Sequence, residues 1–254
     1  MRKQIAILTL LPFILAGTCN PGVIIEDVAS LDVHLHATYD GNPLIMNNTQ
    51  SYAGNMGINF ESFSYYISDM VLLAESNTDE TEILEIDLMD YSGDITQELA
   101  EAGQSLRFNS LPVGNYLGVR FSVGVPADLN KTLTSEYSPE HPLNRDDLYW
   151  EELNSYVFTE MSGQLDTDNN GDFDVNFSYK TGSDDLYRSV TLLAPVSLVK
   201  DESAQINISI DMLKILKRGN VYLNIAETPT IDDPADLTTA IYLMDNIKTA
   251  FSIE

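Results

Sequence analysis

The chain has 254 residues, with 39 Asp or Glu against 13 Lys or Arg and a formal net charge of −26. That length admits one large β domain or two small ones, and 44% hydrophobic with 20% charged residues marks a globular chain. A field of this sign repels nucleic acid and anionic lipid. No run of basic residues forms a patch to offset it, so nucleic acid is excluded as a partner. Cations gather near such a surface, although the charge selects no particular metal.

The first element is a targeting segment. Arg2 and Lys3 precede an apolar run from Ile5 to Ala16 that is too short for a stable membrane span. Small residues Ala16, Gly17 and Thr18 then lead to Cys19, the only cysteine. This pattern predicts a signal peptide over 1–18 and lipidation at Cys19, which would attach the protein to a membrane through a lipid anchor. Thr18 departs from the Gly or Ala usual before a lipidated cysteine, so ordinary cleavage near Thr18 is the alternative. The expected location is periplasmic or outer-membrane-associated, with a tether over 19–29 and one domain over 30–254.

From residue 31 the hydrophobic pattern has mostly period two. Leu31, Val33, Leu35, Ala37 and Tyr39 alternate with Asp32, His34, His36 and Thr38, and the turn Tyr39-Asp40-Gly41-Asn42 follows. Phe63 to Leu73 is a second strand, its apolar face interrupted by Asp69, and Leu84, Ile86 and Leu88 mark a third. Leu106 and Phe108 precede a turn over Leu111–Asn115 and a strand through Leu117, Val119, Phe121, Val123 and Val125, which Pro126 ends. A polar loop over 127–148 contains Pro139 and Pro142. Strands resume at Tyr156–Leu165, Phe173–Tyr179, Ser189–Leu193 and Gln205–Ile210. A helical turn is expected over Asp211–Lys217. A last helix is capped by Asp233 and Pro234, with Leu237, Ile241, Met244 and Ile247 at helical spacing. Strands without βαβ alternation predict an all-β fold, an antiparallel β-sandwich with long loops and a short C-terminal helix.

Two places offer metal ligands. His34 and His36 are alternate residues of one strand, so both imidazoles point to one face, and imidazole suits copper and zinc. The plainer reading puts them on a solvent face beside Asp32 and Thr38. The segment Asp166–Asp174 spaces oxygen donors around Gly171, as calcium requires, with Asp166, Asp168, Asn170, Asp172 and Asp174 as candidates. Phe177 stands where an EF-hand carries its twelfth-position Glu, and the plainer reading is a polar hairpin turn. Three histidines in all, and no nucleophile elbow, zincin, P-loop or dinucleotide motif, point to a protein that binds and does not catalyse.

Several segments in order resemble the MbnP-like domain, a family of exported bacterial proteins related to a methanobactin-associated copper binder. Val33-His34-Leu35-His36 with Asp40-Gly41-Asn42-Pro43-Leu44 resembles its first strand and turn. Phe63–Met70 resembles its second strand, and Ile86-Asp87-Leu88 the next. Leu111–Phe121 with Gly124-Val125 is similar to its LPxGxYxGxxF signature. His141-Pro142-Leu143, Leu148-Tyr149-Trp150, Tyr156-Val157-Phe158 and Asp245-Asn246-Ile247 with Phe251 match later elements.

The resemblance implies a β-sandwich and a copper site of imidazoles with an oxidised tryptophan. It makes His34 and His36 candidate copper ligands, with His141 and Trp150 approaching from the loop; Trp150 is otherwise a core anchor. An exported partner would deliver the metal or oxidise the site. One departure stands out: the family pattern Tyr-His-x-Gly reads Tyr179-Lys180-Thr181-Gly182 here. The expected function is therefore an exported, copper-binding, non-catalytic lipoprotein. The alternative is a metal-free or calcium-stabilised interaction module of the cell envelope.

Overall fold

The computed structural model describes residues 27–75, 80–231 and 237–254. The expected signal peptide, Cys19, all but the end of the tether and the Asp233-Pro234 cap lie outside the described residues. Within them the principal elements are β1 (Val28–Tyr39), β2 (Gly57–Ala74), β3 (Glu80–Asp90), α1 (Gln97–Ala102), β4 (Gln104–Pro112), β5 (Gly114–Val123), β6 (Thr159–Asp166), β7 (Val175–Thr181), β8 (Arg188–Leu198), β9 (Ser203–Asp211), α2 (Met212–Ile215), α3 (Leu237–Ala250) and β10 (Phe251–Ile253).

They form the expected β-sandwich. The first sheet runs β10–β9–β1–β4 and the second β8–β5–β2–β6–β7, with β3 also on β2. Most pairings are antiparallel. The exceptions are β1 with β9, and the short bridge of β7 with Thr230–Ile231, both parallel. The alternation read in the sequence seats Leu31, Val33, Leu35 and Ala37 almost fully buried between the sheets. Across the gap, Phe251 of β10 meets the rings of Tyr65 and Phe121 edge-on, at 5.7 and 5.0 Å between centroids.

β2 organises the second sheet. β3 lies along one of its edges, while β6 and β5 share the other, end to end. At the join, the Tyr66 N–H donates to the Phe158 carbonyl (3.0 Å) and the Gly124 N–H to the Tyr66 carbonyl (2.9 Å). The polar loop therefore leaves and returns at one point of β2. Asp69, the interruption seen in the sequence, takes φ 49° where the β2–β5 register slips, which is how a bulge absorbs an extra residue.

Two elements were not expected from the sequence: α1, capped by Thr96 and closed by Gly103, and β10, which follows α3 directly. β8 also continues beyond Leu193 to Leu198, past Pro195 in a register break on an edge strand. Finally, α2, the hairpin of Lys217–Arg218 with Val221–Tyr222, and α3 bring Lys214, Lys217, Arg218 and Lys248 to one cleft.

Candidate metal centre

On β1 the inward residues are apolar, so Asp32, His34 and His36 face outward and are half-buried. Across the strands, His34 stands opposite Ser105 of β4 and Asn207 of β9, and His36 opposite Ser209. The imidazole planes lie within 14° of parallel, with centroids 6.5 Å apart. With metal–nitrogen bonds of about 2.0 Å and ring nitrogens about 1.1 Å from their centroids, one ion joins rings up to roughly 6.2 Å apart. At 6.5 Å the stacked pair lies just beyond that reach, so a shared ion requires the rings to turn toward each other. His34 Nδ1 is 2.9 Å from Ser105 Oγ. With the proton on Nδ1 donated to that hydroxyl, Nε2 keeps its lone pair for a metal.

His36 is set by a close backbone approach. Gly103, at φ 58°, closes α1 against β1; a Cβ there would collide with the Leu35 carbonyl oxygen and lie 2.8 Å from His36 Nδ1. A recess of about 460 Å³, lined by His36, Thr38, Ala100, Glu101 and Glu254, opens beside the ring. Asp94 is buried nearby with Oδ2 unpartnered. Burial, with help from Asp90, lifts its carboxyl from the ordinary value to about 6, against a smaller opposing pull from His36. Sequence reasoning missed Asp94, Gly103 and Ser105. Only Gly103, following the Thr96-capped stretch Gln97–Ala102, carried a local signal.

His141 does not join the pair. Its Nδ1 accepts the Leu143 N–H at 3.1 Å and its ring stacks on Tyr137 at 4.2 Å. The adjacent Pro142 carbonyl accepts the Tyr66 hydroxyl at 3.0 Å. Tyr65 points into the sandwich, so Tyr66, its neighbour on β2, points out of the second sheet and carries the loop with it. Trp150 lies in that loop, packed so closely on Gly182 that a Cβ there would be 2.9 Å from its ring. The expectation that His141 and Trp150 approach His34 and His36 is corrected: the loop covers the outer face of the opposite sheet. Trp150 instead packs as an anchor against the core.

The acidic loop between β6 and β7 gathers three carboxylates. Oxygens of Asp166, Asp168 and Asp174 lie within 4.8 Å of one another, and this is the one group of three or more His, Cys, Asp or Glu positioned to share an ion among the described residues. Burial would raise the Asp166 carboxyl, but N–H groups of Gly171, Asn170 and Asn169 outweigh it and hold the carboxyl below its usual range. Asp172 stands outside the group. The Asn170 side-chain oxygen accepts the Asp172 N–H at 2.7 Å, and Asp174 accepts the Thr167 hydroxyl at 2.7 Å.

The family model for MbnP matches residues 28–233, from the first residue of β1 to just beyond Thr230–Ile231. The chain belongs to the MbnP family. A search of the curated proteins finds no match. Among solved structures, MbnP from Methylosinus trichosporium is similar with a TM-score of 0.51 at 12% identity, over 77% of this chain and 80% of that one. At that identity the likeness speaks for the fold alone.

Lys180, where the MbnP pattern noted above has His, lies on β7 with Nζ 3.1 Å from Glu160 Oε1. An ammonium held to a carboxylate offers no lone pair to a metal. On the second sheet Lys180 and Glu160 therefore form an ion pair and present no imidazole. His34 and His36 offer nitrogen donors of the kind that copper and zinc both take.

Proposed function

We propose that this MbnP-family protein is an exported, non-catalytic, copper-handling protein that takes up the metal between His34 and His36. The observation that carries the reading is the near-parallel imidazole pair, 6.5 Å between centroids on a half-exposed strand face, with Ser105 orienting one ring. Copper would supply only its affinity for nitrogen donors. The chain's part is to hold both rings on a stiff strand, since a binding protein needs placed ligands, not a reaction cycle. The apolar run after Arg2 and Lys3 supports export, and Cys19 supports a lipid anchor on the periplasmic or outer-membrane side. An exported partner would then deliver the metal. Titration of the purified domain with Cu(I) against a competing chelator tests the reading. One equivalent should bind to the native chain and none to His34→Ala/His36→Ala; unchanged stoichiometry in the double variant removes the proposed ligands.

A second reading is favoured by the three carboxylates gathered within 4.8 Å. In it the β6–β7 loop takes calcium and stiffens the sandwich as an interaction module of the cell envelope. Oxygen-only donors suit a hard cation. Calcium should raise the melting temperature of the native chain, as any ligand of the folded state does. Asp168→Asn/Asp174→Asn should abolish the rise. The absence of any shift at millimolar calcium would end this reading.

A further inference from the structure

The cleft between α2, the Lys217–Tyr222 hairpin and α3 concentrates positive charge in a chain that has little. Lys214, Lys217, Arg218 and Lys248, four of the 13 basic residues, line a space of about 810 Å³. Cations in the last turns of α2 and α3 have an ordinary explanation, because the C-terminal end of a helix is partly negative. That accounts for Lys214 and Lys248. It does not account for Lys217 and Arg218, which come from a hairpin folded over the same opening.

The hairpin cations are held in place. Arg218 Nε donates to Asn246 Oδ1 at 2.8 Å, while Asn246, almost fully buried, donates from Nδ2 to the Ile215 carbonyl at 2.8 Å. The guanidinium lies 4.9 Å from the centre of the Tyr242 ring, and Lys217 Nζ lies 4.7 Å from that of Tyr222. Four cations share the lining with three carboxylates, Asp40, Asp211 and Asp245; Asp211 Oδ2 lies 3.9 Å from Lys214 Nζ and Asp245 Oδ2 lies 3.9 Å from the Arg218 guanidinium. Asp211 Oδ1 accepts the N–H groups of Leu213 and Asp40, and Asp245 Oδ1 accepts Arg188 Nε at 2.9 Å. Among the described residues, no ion pair engages Lys217 or Lys248.

We propose that this cleft binds a small polyanion, a compact molecule carrying two or more carboxylate or phosphate groups. Its volume falls within the roughly 300–1,000 Å³ of small-molecule sites. Arg218 presents a planar guanidinium to one oxyanion, and the ammonium groups of Lys217 and Lys248 face another. The acidic surface beyond the cleft opposes approach at long range, and the three lining carboxylates leave the cleft itself only modestly positive. At about 0.1 M salt that repulsion is screened over about 10 Å, whereas contacts inside the cleft are not.

The test is calorimetric titration of the folded domain at about 0.1 M salt, with citrate and with pyrophosphate as separate probes. Saturable one-site binding of citrate alone identifies a carboxylate ligand, of pyrophosphate alone a phosphate, and of both an unselective oxyanion site. Lys217→Gln/Lys248→Gln leaves the Arg218–Asn246 anchor intact, so the variant should fold and bind at least tenfold more weakly. His34→Ala/His36→Ala should bind as the native chain does, which separates this inference from the copper reading. Neither probe binding, or equal binding in the lysine variant, overturns it.

Discussion

Replacing Gly103 with Ala perturbs the fold and the imidazole pair at one atom. Gly103 has φ 58° and ψ −154°, a region that residues with a Cβ enter only at a cost of about 1–3 kcal/mol. The added methyl would also overlap the Leu35 carbonyl oxygen and press on His36 Nδ1 at 2.8 Å, so α1 or β1 must shift. Overpacking of this kind adds about 1–3 kcal/mol. The sum, roughly 2–6 kcal/mol, corresponds to a fall in melting temperature of roughly 5–20 °C for a domain of this size. Gly41→Ala is the matched control. It too has positive φ, at 77°, but its Cβ would meet nothing within 4 Å, so only the backbone part remains. Thermal melts followed by circular dichroism compare the two. Gly103→Ala should melt well below Gly41→Ala and should also lose Cu(I) affinity. If both variants melt within a degree or two of each other, the close approach at His36 is not what the glycine serves.

Other consequences can be checked alongside. Ser105→Ala removes the partner of His34 Nδ1 on an exposed strand position, so Cu(I) affinity should fall roughly 10- to 100-fold while the melting temperature stays nearly constant. An affinity equal to the native value would show that Ser105 does not orient the ring. Asp94 tests the pH dependence. Its folded-state pKa of about 6 lies above the ordinary carboxylate value, so the folded state favours the protonated form. The resulting penalty is absent below about pH 4 and full above about pH 7. Asp94→Asn should therefore stabilise the protein at pH 8, by on the order of 1–3 kcal/mol, and hardly at all at pH 4. Denaturant midpoints at the two pH values decide it, and an equal gain at both would contradict the assignment.

The strand carrying His34 and His36 was legible because a half-buried strand writes its two faces directly into alternate residues. The same rule put both imidazoles on one outer face without any tertiary information. What alternation could not supply was the partner of each strand. β1 and β9 alternate alike whether they pair parallel or antiparallel, and the parallel pairing is fixed by the path of the whole chain. α1 was missed because it is a helix of six residues, too short to establish a period. β10 was missed because Phe251 continues the apolar face of α3, so nothing local marks the change from helix to strand. The misplacement of His141 and Trp150 has a similar cause. A long loop can reach many places, and only the backbone bonds of Tyr66 to Gly124 and Phe158 fix which sheet it covers. The basic cleft was invisible for the complementary reason: Lys248 is far in sequence from Lys214, Lys217 and Arg218, and packing of α2 against α3 brings them together.

X-ray absorption at the copper edge, on the protein loaded with one equivalent of Cu(I), bears most directly on the metal site. The imidazole pair should give two nitrogen scatterers near 2.0 Å with the outer-shell pattern of histidine rings, and this signal should vanish in His34→Ala/His36→Ala. A sulfur-dominated first shell, or a nitrogen shell unchanged in the double variant, would place copper elsewhere and contradict the account.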